Sequence, residues 1–124
     1  MKVLALDYGS ARTGIAVSDP TGTVARPLGV AEGVRSPDGL ARLVATIRAE
    51  QPERVVVGLP LTLRGEEGEQ ARETLGFVEA LREAVEVPVV TYDERFTSSL
   101  AGGDDARAAA YLLSSYLAWL ARPS

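Results

Sequence analysis

Residues 2–18, KVLALDYGSARTGIAVS, hold two apolar runs separated by one polar turn, and their reading decides the fold. Lys2-Val3-Leu4-Ala5-Leu6 has the near-continuous apolar character of a strand buried on both faces, and it ends at Asp7. Tyr8 to Arg12 reads as a turn, after which Thr13 to Ser18 resumes strand character. Asp19-Pro20-Thr21-Gly22-Thr23 is a second turn, and Val24 to Val30 a third short strand. Three strands joined by short turns, ahead of any helical periodicity, predict an antiparallel meander.

Beyond Ser36-Pro37-Asp38 the period changes. Leu40, Leu43, Val44 and Ile47 recur at helical spacing, with Ser36 as cap, Pro37 in the first turn and Pro52 closing the helix. Val55-Val56-Val57 is a β-branched run suited to a central parallel strand, ended by Gly58-Leu59-Pro60. A helix from Glu69 to Ala84 carries Ala71, Leu75, Val78 and Leu81 on one stripe. Val85 to Thr91, interrupted by Pro88, reads as a fifth strand leading to Tyr92-Asp93-Glu94-Arg95. A last helix runs from near Asp104-Asp105 to about Leu120. The order βββαβαβα predicts an α/β fold, a mixed central sheet of about five strands flanked by helices, because each amphipathic stripe must be buried against the sheet.

At 124 residues the chain suits a single domain over 1–124. With 46% apolar and 24% charged residues it is composed for a packed core rather than for disorder. Cysteine and histidine are both absent, which excludes disulfides, Cys or His zinc sites, thiol nucleophiles and imidazole bases. Chemistry is left to carboxylates, hydroxyls, arginines, backbone groups and an oxygen-ligated metal. The net charge of −4 argues weakly against a nonspecific nucleic-acid coat. The acidity is local, however: Glu66 to Glu86 holds seven Glu against Arg72 and Arg82, a local −5, and reads as the solvated face of one helix. Apolar runs are far below membrane-spanning length and no leader-like segment opens the chain, so a cytoplasmic protein with no membrane partner is expected.

Four acidic positions stand in contexts that solubility explains poorly. Asp7 ends the first strand just before Gly9, Asp93 and Glu94 follow the fifth strand, and Asp105 shares the inward face of the last helix with Ala109, Leu112 and Tyr116. Each has a plainer reading: a turn cap for Asp7, a polar turn paired with Arg95 for Asp93 and Glu94, and helix N-terminal stabilisation for Asp105. In an open α/β sheet, though, ligands gather outside the carboxyl ends of the strands. Asp7, Glu94 and Asp105 converging there would repel one another, and Mg²⁺ or Mn²⁺ would relieve the repulsion and clamp a phosphoryl displacement. Gly58 either admits a phosphate or lets the chain turn. Arg12, Arg64 and Arg95 read as phosphate contacts or as ordinary surface arginines, and Thr97 and Ser98 as turn caps or as hydroxyls holding a substrate backbone. Tyr8 and Tyr92 suit base stacking and packing equally, whereas Tyr111, Tyr116 and Trp119 fit helix packing, with an exposed remainder suited to a subunit contact.

The segments Leu6-Asp7-Tyr8-Gly9 with Arg12 to Asp19, Val56 to Pro60, Asp93 to Ser98, and Asp105 to Leu113 together resemble the YqgF family, also called RuvX. Its members are described as pre-16S ribosomal RNA nucleases related to Holliday-junction resolvases. The resemblance spans essentially the whole chain and implies an RNase H-like fold, with metal-dependent phosphodiester cleavage that matures the 5′ end of 16S ribosomal RNA. It implies Asp7, Glu94 and Asp105 as catalytic metal ligands for Mg²⁺ or Mn²⁺, with Asp93 as an alternative ligand. In family members a longer, basic segment commonly precedes the last aspartate; here only Ser99 to Gly103 intervenes before Asp104, which implies a reduced substrate-gripping arm. The implied partner is precursor ribosomal RNA or, alternatively, branched DNA, for which a two-fold homodimer would be favoured. Asp7-Tyr8-Gly9-Ser10 also resembles the first phosphate loop of the actin and sugar-kinase group, whose two-domain clamp exceeds this length. A non-catalytic ribosome-associated domain is the remaining alternative, and it predicts scattered rather than convergent carboxylates.

Overall fold

In a computed structural model, which describes residues 1–94 and 106–123, the elements run β1 (Val3–Asp7), β2 (Arg12–Ser18), β3 (Ala25–Glu32), α1 (Pro37–Glu50), β4 (Arg54–Leu59), α2 (Glu69–Ala84), β5 (Val89–Asp93) and α3 (Ala106–Ala121). This is the expected βββαβαβα order. The strands form one sheet in the order β3-β2-β1-β4-β5. β1, β2 and β3 pair antiparallel as the meander. β4 lies parallel to both β1 and β5, as strands joined through helical crossovers must.

Alternation along the strands divides the core into two layers. Val3, Ala5 and Val56 face α3, while Leu4, Leu6, Val55 and Val57 face α1 and α2. α3 packs over β1, β2 and β3 through Ala109, Leu112, Leu113 and Tyr116. α1 and α2 cover the opposite face with Leu43, Val44 and Ile47 from the one and Phe77, Val78 and Leu81 from the other. Ser36 caps α1 by accepting the Gly39 amide at 3.0 Å, and Pro37 occupies the first turn as its sequence position demands.

Strand boundaries differ from the sequence reading, chiefly in β5, β3 and β4. β5 starts at Val89 rather than Val85, because Val85 still closes α2 through a 3.1 Å bond to the Leu81 carbonyl. Pro88 has no amide to offer the ladder, so pairing with β4 begins at Val55 and Val89. β3 extends to Glu32, since Val30, Ala31 and Glu32 pair with Gly14, Thr13 and Arg12. β4 continues through Gly58 and Leu59 instead of ending there.

The register between β2 and β3 shifts at Ile15/Ala16, where Gly29 and Pro27 are the partners and Leu28 is the extra residue of a bulge. Asp19 closes the turn between these strands. Its carboxylate accepts the Thr21 hydroxyl, and it also accepts the amides of Thr23 and Val24 at 2.8 Å. Those bonds, led by the Thr21 hydroxyl, hold its pKa below the usual carboxylate range. Among the described residues no helix is long and apolar enough to cross a membrane.

Candidate active site

Strand alternation dictates where polar groups can gather. With Val3 and Ala5 facing α3, Asp7 falls on that same face at the carboxyl end of β1. Leu6 pairs with Val57, which places Gly58 beside Asp7, and Gly58 in turn pairs with Tyr92 on β5. Glu94, two residues past Tyr92, returns to the α3 face and lays its side chain across Gly58. A Cβ at residue 58 would lie 2.6 Å from Oε1, 2.7 Å from Cγ and 2.8 Å from Cδ of Glu94. Gly58 is thus neither a turn nor an open approach for a phosphate. It is a cradle for a carboxylate.

Asp7 and Glu94 are hydrogen-bonded side chain to side chain. Burial, then the charge and hydrogen bond of Asp7, then the charge of Asp93, push the Glu94 pKa up to about 8. Two carboxylates so close cannot both ionise cheaply. Of the two acids at the end of β5 it is Glu94 that reaches Asp7; Asp93 acts on Glu94 through its charge. Among the described residues no three acidic side chains stand close enough together to hold a metal ion. Asp105, Arg95, Thr97, Ser98 and the Ser99 to Asp104 stretch lie outside the described residues. Arg12 and Arg64 are exposed, the first at the start of β2 opposite Glu32 and the second in the loop after β4.

Tyr8, the residue just past β1, faces the other way. Its ring stacks on Phe77 with centroids 4.7 Å apart, and its hydroxyl donates to Glu73 Oε1 at 2.9 Å. Arg35 Nη1 donates to the same oxygen at 3.2 Å. Burial and the Glu73 contact push the Tyr8 pKa up to about 12. Tyr8 is a packing residue, and Glu73, read in the sequence as one of a solvated row, is its anchor. Tyr92 is also engaged, its hydroxyl 2.8 Å from Ser115 Oγ and its ring edge-on to Tyr116. The role of Gly58 could have been found only by pairing the strand parities of Asp7, Gly58 and Glu94 with a register that the sequence does not display.

A mixed sheet in this strand order, with helices on both faces, is an RNase H-like fold. A family model described as "RuvX: Holliday junction resolvase" matches residues 1–119. Proteins named "Putative pre-16S rRNA nuclease" are 48% identical over 103 residues in Rubrobacter xylanophilus, covering 82% of this chain and 72% of that one. In Sulfurihydrogenibium sp. the identity is 45% over 103 residues, covering 81% and 69%. In Anaeromyxobacter sp. it is 38% over 132 aligned positions, covering 94% and 96%. The chain belongs to the RuvX family. Among solved structures, T. thermophilus RuvC in complex with Holliday junction substrate superposes with a TM-score of 0.65 at 20% identity, covering 98% of this chain and 95% of that one. Fowlpox virus resolvase with junction DNA gives 0.61 at 13% identity, covering 98% and 100%. Both likenesses are of fold.

Proposed function

We propose that this chain is a metal-dependent endonuclease, one nuclease domain over residues 1–124, that hydrolyses phosphodiester bonds in structured RNA. Its task on this reading is maturation of the 5′ end of 16S ribosomal RNA in the cytoplasm. The observation that carries the reading is the contact of Asp7 with Glu94 over Gly58, at the carboxyl ends of three adjacent strands. The names of the relatives support the RNA substrate.

Two carboxylates pressed together are a hard-oxygen donor set with negative charge to spare, which fits Mg²⁺ or Mn²⁺. Asp7 and Glu94 would hold the ion, with Asp105 as a third ligand and Asp93 adding charge beside them. Bound there, a divalent ion polarises the phosphoryl oxygens and lowers the pKa of a water molecule. Asp7 is the rigid donor, because β1 is paired on both sides. Glu94 is held against it by the bare backbone of Gly58. Arg12, Arg64 and Arg95 would meet phosphate oxygens, and Thr97 and Ser98 the sugar–phosphate backbone.

Cleavage of a precursor 16S transcript in Mg²⁺ tests this. Asp7→Asn is expected to lower the rate by roughly 100-fold or more while the protein stays folded. Equal rates, or equal Mn²⁺ affinity by titration calorimetry, would remove Asp7 from the mechanism. A resolvase acting on branched DNA is a second reading, favoured by the description of the matching family model. A four-way DNA junction assayed beside the transcript separates them, and faster junction cleavage by a two-fold dimer would replace the RNA reading.

A further inference from the structure

α3 covers chiefly β1, β2 and β3, so toward β4 and β5 the same face of the sheet opens into a groove of about 790 Å³. Val90 and Tyr92 form its floor, Tyr116 and Trp119 its wall, and Arg54 and Arg122 line it as well. Val90, Tyr92 and Glu94 are alternate residues of one strand direction, so the floor leads straight to the carboxylate pair. The distance from Val90 to Glu94 is about 13 Å at strand rise. Arg54 lies at the opposite, amino end of β4, and Arg122 just past the end of α3.

The chemistry of this groove is specific. Arg54 Nη1 donates to the Tyr116 hydroxyl at 2.8 Å, and the Arg122 guanidinium lies 4.5 Å over the Trp119 ring. Neither arginine is in an ion pair with a carboxylate among the described residues. Trp119 remains 44% exposed. One guanidinium on an indole face, a second bonded to a phenol hydroxyl and the exposed ring faces suit a ligand that combines phosphates with flat faces, and Asp93 lines the groove at the end nearest Glu94.

We propose that the groove carries a single-stranded segment of nucleic acid leading to the Asp7–Glu94 pair. Bases lie against Tyr92 and Trp119, and phosphates meet Arg54 and Arg122. This rests on the nuclease reading and names the path of the strand within it.

Trp119 is the single tryptophan of the chain, so its emission reports on this groove alone. The full chain in EDTA is titrated with a fluorescein-labelled oligouridylate and, in parallel, an oligothymidylate, following label anisotropy and tryptophan emission together. Both signals are expected to change with one affinity, and the arm that binds more tightly separates RNA from DNA. Arg122→Gln is expected to reduce the slope of log affinity against log salt by about 0.7, the value for one phosphate fewer neutralised on a single strand. Trp119→Ala is expected to weaken binding by roughly fivefold or more, with Trp119→Phe recovering most of it. Rising anisotropy with unchanged emission and unaffected variants would overturn the proposal by placing the strand elsewhere. So would absence of any anisotropy change, or an emission shift that tracks protein concentration and a dimeric mass without oligonucleotide. Precursor cleavage by wild-type protein in Mg²⁺ is scored separately, so failure of the groove with cleavage intact leaves the nuclease reading standing.

Discussion

At Gly58 the missing side chain is space that Glu94 uses. An alanine there puts a methyl group within 2.8 Å of three Glu94 atoms, so the carboxylate must swing off Asp7. Gly58→Ala is expected to slow cleavage toward 100-fold, as misplacing a reacting group by about 1 Å does, while urea denaturation shows stability within about 1 kcal/mol of wild type. Retained activity would mean that the Asp7–Glu94 pairing is not needed. Glu94 itself offers a test in metal-free protein. Its folded pKa is raised, so its contribution to stability is present below the ordinary glutamate value of about 4.3 and is lost as pH rises toward about 8. Thermal melts in EDTA at the two ends of that window are expected to show wild type losing stability and Glu94→Gln losing less. The acids themselves were legible as residues ending strands. The function of Gly58 was not, because it depends on a side chain contributed from a different strand.

Between elements, the joint that steadies β1 is made by its last neighbour rather than by the acid. Tyr8, Glu73 and Arg35 tie the strand end to α2 and to the turn before α1. Tyr8→Phe keeps the stack on Phe77 and removes one hydrogen bond, so a loss of about 0.5–1.5 kcal/mol in urea denaturation is expected. A loss above about 3 kcal/mol would show that more than this bond depends on the hydroxyl. α2 was legible to its end residues, since a sixteen-residue amphipathic period leaves little choice. The start of β5 was not, because Val85 and Val87 are as apolar as the strand that follows and only the closing bond of α2 separates them. Glu73 looks solvated in the sequence for a similar reason: helical spacing says which side faces the sheet but not that an arginine and a tyrosine wait at its margin.

For the molecule as a whole, the order of elements, the meander and the parallel pairing all followed from periodicity and turn residues, because these are local signals. The unequal cover of the sheet did not, since which strands lie under α3 depends on its crossing direction. The acidity of α2 is on the face of the sheet away from the Asp7–Glu94 pair, where it would not oppose a polyanion at that pair. The two rims of the sheet are unlike. At β3 the outer strand carries Arg26, Pro27 and a bulge, all of which spoil hydrogen bonding to an incoming strand. β5, by contrast, is a regular strand without proline. There the Arg82 guanidinium donates to the Val89 carbonyl at 2.9 and 3.1 Å, so part of this rim is occupied by a side chain. Proline and a bulge on one margin and an arginine on the other leave an incoming strand little ladder to join, which disfavours sheet-to-sheet stacking in either direction.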